Sequence, residues 1–351
     1  MSEDIWSEQD TSPDAIEAAL RDLLRSCHAA NEALAPARVL NLVVIVDREW
    51  KGEIANRLER VGRYQASRTV LCAVEEGRKT LDAVATVSYE EPGPGGLGVV
   101  REHVEIDLGP DHLRALQTIV DPILAFELHT MLWSPHGHWD EVRALLPLID
   151  VVLLDSDDLS DPPEAFERAN ELLDHVYVVD LAWLRTTPWR ERLAASFDLE
   201  LRLAGLRRLA EIEVRHRESS SASALLLAGW LASRLDWERS PLRVEPDGRL
   251  EGAVRRSGGE VLVALRPSDQ ESPGLAGVTV SCENGTSLSL QRGLGGLDAE
   301  ERMADGADRR WKILGASRGE GGILGEGVRQ ALLRDPTYGP ALDAARELCP
   351  A

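Results

Sequence analysis

Residues 39–47 read VLNLVVIVD, a run broken only by Asn41 and closed by Asp47. Apolar residues that do not alternate with polar ones mark a strand covered on both faces, as in a parallel sheet between helices. The flanking sequence keeps that rhythm. A helix is expected over 52–61 and a strand over 69–74. Strands at 80–89 and 99–108 then form a hairpin about the glycine-rich turn 92–98. Helices at 111–120, 138–146 and 162–173 alternate with strands at 130–133, 151–154 and 176–180, and Asp161-Pro162 suits the start of the last helix. This spacing predicts an α/β fold with a mostly parallel, αβ-layered domain. Upstream, Ser12 and Pro13 open an amphipathic helix over 13–34. Its apolar face carries Ile16, Leu20, Leu23, Leu24 and Cys27, suited to docking on the body of the protein or on a partner.

The charge pattern changes after the last of these strands. Residues 150–180 hold ten acids and one arginine, whereas 185–217 hold eight arginines and five acids, which places a domain boundary near Asp180. Beyond it, helices are expected around 188–197, 201–209 and 223–235. Short strands follow at 242–245, 249–255, 260–266, 277–283 and 286–291, separated by turns such as Asp247-Gly248 and Asn284-Gly285. A strand at 311–314, a glycine-rich loop and two helices close the chain. The expected organisation is an N-terminal helix and tail (1–36), an α/β domain (37–180) and an α+β C-terminal domain with an antiparallel meander (181–351).

Composition narrows the function. The 351 residues include 60 acids against 39 bases, a net charge of -21. A field of that sign repels phosphate backbones and anionic lipid surfaces, so neither nucleic acid nor membrane is an expected partner and a protein is. No apolar run approaches the ~18 residues that span a bilayer. The acidic start Met1-Ser2-Glu3-Asp4 does not resemble an export signal, and a cytoplasmic location is expected. Cys27, Cys72, Cys282 and Cys349 lie far apart with no C-x-x-C pair, which excludes a recognisable zinc ribbon.

Three segments hold candidate chemistry. In WSPHGHWDE (133–141), Ser134, His136 and His138 follow a strand and precede a helix, where ligand sites of α/β sheets occur. The run imitates half of an H-x-H-x-D-H metal motif, but Glu141 replaces the final histidine, so capping and local hydrogen bonds are favoured and no metal is expected. In GASRGEGGILGEG (315–327), Gly315, Ser317, Arg318, Gly319, Gly321 and Gly322 form a possible anion or sugar-phosphate loop. It lacks G-K-[ST] and the dinucleotide spacing, and Glu320 and Glu326 oppose an anion, so a structural glycine turn is favoured. In DLAWLRTTPWRER (180–192), Thr187-Pro188 is read as opening a helix. Trp183, Arg185, Trp189 and Arg190 are residue types enriched at interface hot spots, although the tryptophans equally suit burial where two domains meet. S-x-x-K is absent and paired carboxylates such as Asp157-Asp158 lie in an acidic loop that solvation explains, so no catalytic set and no cofactor are expected.

Taken together, several runs resemble the glucose-6-phosphate dehydrogenase assembly protein family, OpcA. They include ARVLNLVVIVD (37–47), DPILAFELHTMLWSPHGHWDEV (121–142), VVDLAWLRTTPWRERLA (178–194), ALLLAGWLASRL (224–235) and GASRGEGGILGEGVRQALLRDPTYGPAL (315–342). The resemblance covers about residues 37–342. It implies a non-catalytic accessory protein that binds glucose-6-phosphate dehydrogenase and promotes its oligomeric assembly or activation in the oxidative pentose phosphate pathway. Trp183, Arg185, Trp189, Arg190, Ser134, His136 and His138 are the interface candidates. The alternative is a sugar-phosphate-binding protein or enzyme of the same pathway using the loop 315–327. In photosynthetic bacteria the family is linked to thiol-based redox control, which the positions of these four cysteines do not predict.

Overall fold

A computed structural model describes residues 2–30, 34–35, 38–62, 67–89, 98–197, 205–315 and 319–350. The chain forms two compact units interleaved in sequence. The first comprises Met1–Leu154, His175–Val179 and Leu324–Leu332, and the second Asp155–Asp174, Asp180–Ile323 and Leu333–Ala351.

In the first unit the elements run β1 (Ser2–Glu8), α1 (Pro13–Ala30), β2 (Leu34–Ala35), β3 (Leu40–Asp47), α2 (Lys51–Gly62), β4 (Ser67–Val74), β5 (Asp82–Tyr89) and β6 (Gly98–Leu108). Then come α3 (Pro110–Leu113), α4 (Leu116–Val120), β7 (Thr130–Trp133), α5 (Trp139–Leu145), β8 (Val151–Leu154) and β9 (Tyr177–Asp180). The strand order is β1-β5-β6-β4-β3-β7-β8-β9, with β2 beside β6. Strands β6, β4, β3, β7 and β8 are mutually parallel. Counted from β3 as first, the run β6-β4-β3-β7-β8-β9 has the order 3-2-1-4-5-6 of a doubly wound dinucleotide-type sheet. The apolar run of 39–47 is its central strand, buried from Leu40 to Val46. Two elements depart from expectation. The helix expected over 111–120 is broken into α3 and α4. Strand β1 falls in the expected tail because its seven residues alternate weakly, yet it pairs with β5 from Ser2↔Tyr89 to Glu8↔Ala83. Ser12 does cap α1, its Oγ accepting the Ala15 N–H at 3.3 Å. Most of the expected turn at 92–98 lies outside the described residues.

The second unit contains α6 (Pro162–Leu173), α7 (Leu181–Phe197), β10 (Leu209–Arg217), α8 (Ser221–Arg234), β11 (Arg243–Val244), β12 (Leu250–Arg256) and β13 (Gly259–Ser268). It continues with β14 (Leu275–Cys282), β15 (Ser287–Gly293), β16 (Gly296–Arg302), β17 (Asp308–Leu314), the start of α9 (Gly319–Gln330) and α10 (Tyr338–Leu348). Its sheet runs β11-β12-β13-β10-β14-β15-β16-β17, antiparallel except between β10 and β13. The expected meander is present, with two further strands, β10 in its middle and β16 between β15 and β17. Residues 201–204 of the helix expected at 201–209 lie outside the described residues, and Leu209 begins β10 instead. In β10, Ile212, Val214 and His216 are buried while Glu211, Glu213 and Arg215 lie more open. That alternation is a strand signal, masked by charged residues that also favour helix. Two further corrections concern α7 and α9. The first begins at Leu181 and holds Pro188 inside it, and the second makes the expected loop helical from Gly319 onward.

Helix α8 is apolar on almost every side because it is covered on every side, by β10 and β13 and by α7 and α10. Gly229 sets the α8–α10 spacing. A Cβ there would stand 2.4 Å from the Ala341 carbonyl oxygen and 2.7 Å from the Ala345 nitrogen, contacts that backbone cannot relieve cheaply. Gly229→Ala gains ~1 kcal/mol of helix propensity but incurs ~1–3 kcal/mol of overpacking. A lower urea midpoint is therefore expected; an unchanged or raised one would mean that the two helices separate without loss.

Candidate functional site

In doubly wound sheets ligands bind beyond the carboxyl ends of the strands, where the order reverses. Here that point lies between β3 and β7. A dinucleotide site needs glycines in the turn after β3 so that backbone N–H groups can approach a pyrophosphate. This chain has Asp47-Arg48-Glu49-Trp50-Lys51-Gly52 instead. Lys51 Nζ lies 2.8 Å from Asp107 Oδ1 and 2.9 Å from Glu105 Oε2, and Arg48 also faces Asp107. A hydrogen bond from His103, working against burial and joined by Lys51, holds the Glu105 carboxyl down at about 2. The cations of the turn are thus already neutralised. At the end of β4, Glu75 stands where an acid would take ribose hydroxyls, but it accepts from Arg78 Nε at 2.8 Å.

The turn after β7 closes the crevice from the other side. Ser134 Oγ donates to the Gly137 carbonyl oxygen at 2.7 Å, closing the turn on itself, and lies 3.3 Å from the carbonyl oxygen of Ile45 in β3. Gly137 and His138 both take left-handed φ values, +107° and +56°. His138 Nε2 thereby comes within 3.1 Å of Asp47 Oδ1, and His136 stacks on Trp50 at 4.8 Å between ring centroids. Burial lowers the His136 pKa, against the pull of Glu53, Asp47 and Glu49. The hydroxyl of Ser134 is turned to carbonyls and not to a histidine, so Ser134, His138 and Asp47 are not a nucleophile relay.

A second polar cluster organises the second unit. Asp180 is 1% exposed and receives four donors. Oδ1 accepts the N–H groups of Ser156 at 3.1 Å and Ala182 at 2.9 Å. Oδ2 accepts the Ser156 hydroxyl at 2.6 Å and the Tyr338 hydroxyl at 3.0 Å. Asp157 accepts the N–H and hydroxyl of Ser223, at 3.0 and 2.6 Å, in the first turn of α8. Arg185 grips Asp155 through both terminal nitrogens, at 2.7 and 2.6 Å, and reaches Glu320 at 2.7 Å. Burial raises the Asp157 and Asp158 pKa values, and the Asp155 charge adds to the effect. Burial and Asp155 together lift Asp180 to about 6, against its donors. Burial also opposes the charge on Arg185, yet Asp155 and Glu320 hold its pKa above the ordinary value.

The residues singled out in 180–192 therefore turn inward. Trp183 and Trp189 are 2% and 1% exposed. The Trp183 indole N–H donates to Asp335 at 2.9 Å, and its ring carries the Arg190 guanidinium at 3.5 Å. Arg190 also donates to Thr186 and Thr187, and burial lowers its pKa to about 10. These contacts pin α7 to the turn before α10; sequence spacing could not distinguish them from a hot spot, since both use tryptophan and arginine. Of the glycine-rich loop, Gly315 takes φ +74°, Gly319, Gly321 and Gly322 lie in α9, and Ser317 and Arg318 lie outside the described residues. Gly319 and Glu320 border a cleft of about 110 Å³, with Arg185, Arg292, Pro273 and Ile323 among its walls. Arg292 spends Nε and one terminal nitrogen on the Leu275 carbonyl, at 3.2 and 2.9 Å. The four cysteines are free, with Cys27, Cys72 and Cys349 buried, and burial pushes the Cys72 and Cys349 thiols up to about 12. Among the described residues no three His, Cys, Asp or Glu side chains are grouped to hold a metal, and no helix is long and apolar enough to cross a membrane.

Residues 176–342 match the OpcA family model for the C-terminal domain of a glucose-6-phosphate dehydrogenase subunit. A protein of Synechococcus elongatus named "Putative OxPP cycle protein OpcA" is 31% identical over 137 residues, 38% of this chain and 31% of that protein. Its namesake in Nostoc punctiforme is 30% identical over 36% of this chain and 28% of its own length. The chain thus spans about a third or less of these relatives. Among solved structures, a Gal80p mutant of Saccharomyces cerevisiae is 8% identical with a TM-score of 0.49, covering 90% of this chain and 91% of that one. An oxidoreductase domain protein of Kribbella flavida is 12% identical with a TM-score of 0.46, covering 88% and 94%.

The geometry around Asp180 makes a sharp prediction. In the folded state its pKa is about 6, against ~3.9 in an unfolded chain. Folding therefore binds a proton between those values, and the stability present below pH ~4 is lost as pH rises through 6, by roughly 3 kcal/mol. Asp157 and Asp158 act in the same sense, while His216, lowered by burial, acts in the opposite one below its ordinary pKa. Asp180→Asn should remove the Asp180 share of this slope. Its oxygen can accept both N–H groups while its amide donates to the two hydroxyls, so stability at pH 8 should match or exceed that of the wild type. Urea titrations at pH 5 and pH 8 measure both quantities. A loss above ~2 kcal/mol at pH 8 would show that the charge itself holds the cluster together.

Proposed function

We propose, from the OpcA family that the domain match and the curated relatives support, that this protein is a non-catalytic accessory protein. In this reading it binds glucose-6-phosphate dehydrogenase and promotes its oligomeric assembly and activation in the oxidative pentose phosphate pathway. The observation that carries the proposal is the match over 176–342 to a domain described as belonging to a glucose-6-phosphate dehydrogenase subunit. Two features of this chain support it. The turn after β3 offers a pyrophosphate an acid and a tryptophan where glycines are needed, with its cations already paired. The carboxylates of Asp180 and Asp157 are occupied with backbone and hydroxyl donors at the starts of α7 and α8, a role of holding helices in place.

An accessory protein of this kind acts by differential binding. A preference for the assembled, active dehydrogenase over its separated subunits shifts the population by mass action. A hundredfold preference contributes about 2.7 kcal/mol, enough to dominate a balanced equilibrium. The net charge of -21 favours a protein partner with basic surface over nucleic acid or membrane, and the cytoplasm, where the dehydrogenase works, is the location this reading requires.

One observation favours a second reading, a sugar-phosphate site. Arg292 and Arg185 both border the cleft beside Gly319. The cleft's 110 Å³ is well below the ~300 Å³ of ordinary ligand sites, and Glu320 inside it opposes an anion.

The first reading is tested by titrating the protein into the glucose-6-phosphate dehydrogenase of the same genome, following NADPH formation and particle mass together. A saturable rise in rate that tracks a larger species is expected. A complex without a change in turnover would reduce the protein to a scaffold. If no complex forms and glucose 6-phosphate releases heat on binding this chain alone, the second reading replaces the first.

A further inference from the structure

We infer that Phe126 is a preformed aromatic anchor, set by the fold to enter an apolar pocket with a basic rim on a partner protein. The inference rests on the accessory reading above and names the part of the surface that would make the contact. Phe126 is 90% exposed, between Ala125 at 7% and the half-buried Leu128. A lone exposed apolar side chain is ordinary on a protein surface. What sets this one apart is the machinery behind it.

Asn41, the single polar break in the buried strand β3, is 1% exposed. Its side chain pairs with Ala125 in both directions, donating to the carbonyl at 3.0 Å and accepting the N–H at 2.9 Å. Its backbone N–H donates to the His129 carbonyl at 2.9 Å. Arg68 in β4, also buried, donates to the Ile123 carbonyl at 2.8 Å and is itself held by Glu102 at 2.6 Å. The N–H of Thr130 donates to Asp150 at 2.8 Å. Buried polar groups are costly unless fully partnered, and here two of them serve one short surface loop. Between these fixed points Glu127 takes φ +63°, a left-handed conformation that non-glycine residues rarely adopt and that persists only where the surroundings impose it. The result is an aromatic ring on a rigid stalk, which loses little conformational freedom on binding. Leu294 is equally exposed, at 94%, but it sits in the turn of the β15–β16 hairpin between Gly293 and Gly295, with no such support.

The rim identifies the partner's chemistry. Asp121 and Glu127 are exposed on either side of Phe126 and carry the rim charge, while Asp150, half-exposed at the base of the loop, is engaged by the Thr130 N–H and lies 3.5 Å from His129 Nδ1. These acids disfavour an anionic lipid surface, and a second copy of this chain would set the same acids against each other. A different protein with basic residues around an apolar pocket is the occupant that fits. The loop precedes β7 and so stands at the amino ends of the parallel strands, away from the Asp47–His138 turn at their carboxyl ends.

The test measures affinity of the full-length protein for the dehydrogenase by calorimetry, with thermal unfolding as a control for each variant. Phe126→Ala should weaken binding at least tenfold with an unchanged melting temperature. Phe126→Trp should stay within threefold of the wild type, and Leu294→Ala within twofold. Glu127→Lys should weaken binding and flatten its dependence on sodium chloride, because rim charges act through screened attraction. Wild-type binding with Phe126→Ala within twofold of it would overturn the anchor and leave the accessory reading intact. Equal losses from Phe126→Ala and Leu294→Ala would also overturn it. No binding by the wild type would overturn both.

Discussion

The second unit depends on one buried carboxylate. Asp180 closes β9, and its two oxygens gather donors from the turn at 156, the start of α7 and the start of α10. Asp157, one turn away, takes the first turn of α8 in the same manner. Helix starts carry unsatisfied N–H groups and a partial positive charge, and a carboxylate meets both needs. Two carboxylates in this way hold three helices, Asp180 the N–H of Ala182 in α7 and the Tyr338 hydroxyl in α10 and Asp157 the start of α8. Arg185 neutralises part of the accumulated charge by gripping Asp155 and Glu320. The acidic loop at 155–158 looks like solvated surface in the sequence. It is the interior joint of the unit.

The first unit uses the same economy for a different end. Its sheet has the strand order of a nucleotide-binding fold, but the polar residues that would serve a nucleotide are paired with one another: Lys51 with Asp107, Glu75 with Arg78, His138 with Asp47. At the opposite end of the same strands, Asn41 and Arg68 are buried to hold a loop that touches solvent.

How much of this the sequence disclosed follows from where each signal resides. The parallel strands β3, β4, β7 and β8 and helix α8 are legible as near-continuous apolar runs, covered on all sides, and α2, α5 and α6 because their apolar residues repeat with the helical period. Strand β10 is not, since Glu211, Glu213 and Arg215 on its open face read as a charged helix until its pairing with β13 and β14 is known. The α7 segment shows the reverse failure. Trp183, Arg185, Trp189 and Arg190 are legible as a cluster of unusual residues, but whether such a cluster faces inward or outward depends on Asp155 and Asp335, which are distant in sequence. Phe126 and Asn41 lie in two separate runs, 85 positions apart, and nothing in either run alone predicts that one presents the other.

The interleaving of the two units bears on how the chain is made. The first unit includes His175–Val179 and Leu324–Leu332, and the second begins at Asp155. The parallel ladder of the first unit lies within residues 40–153, but neither unit has all its segments until residues 324–332 and 333–351 have been added. The apolar strand VLNLVVIVD meets one neighbour, β4, soon after it is made and the other, β7, only after some 80 further residues, a wait of roughly 4–17 s at ~5–20 residues per second. The net charge of -21 also keeps incompletely folded chains apart, since like-charged polypeptides repel before their strands can meet.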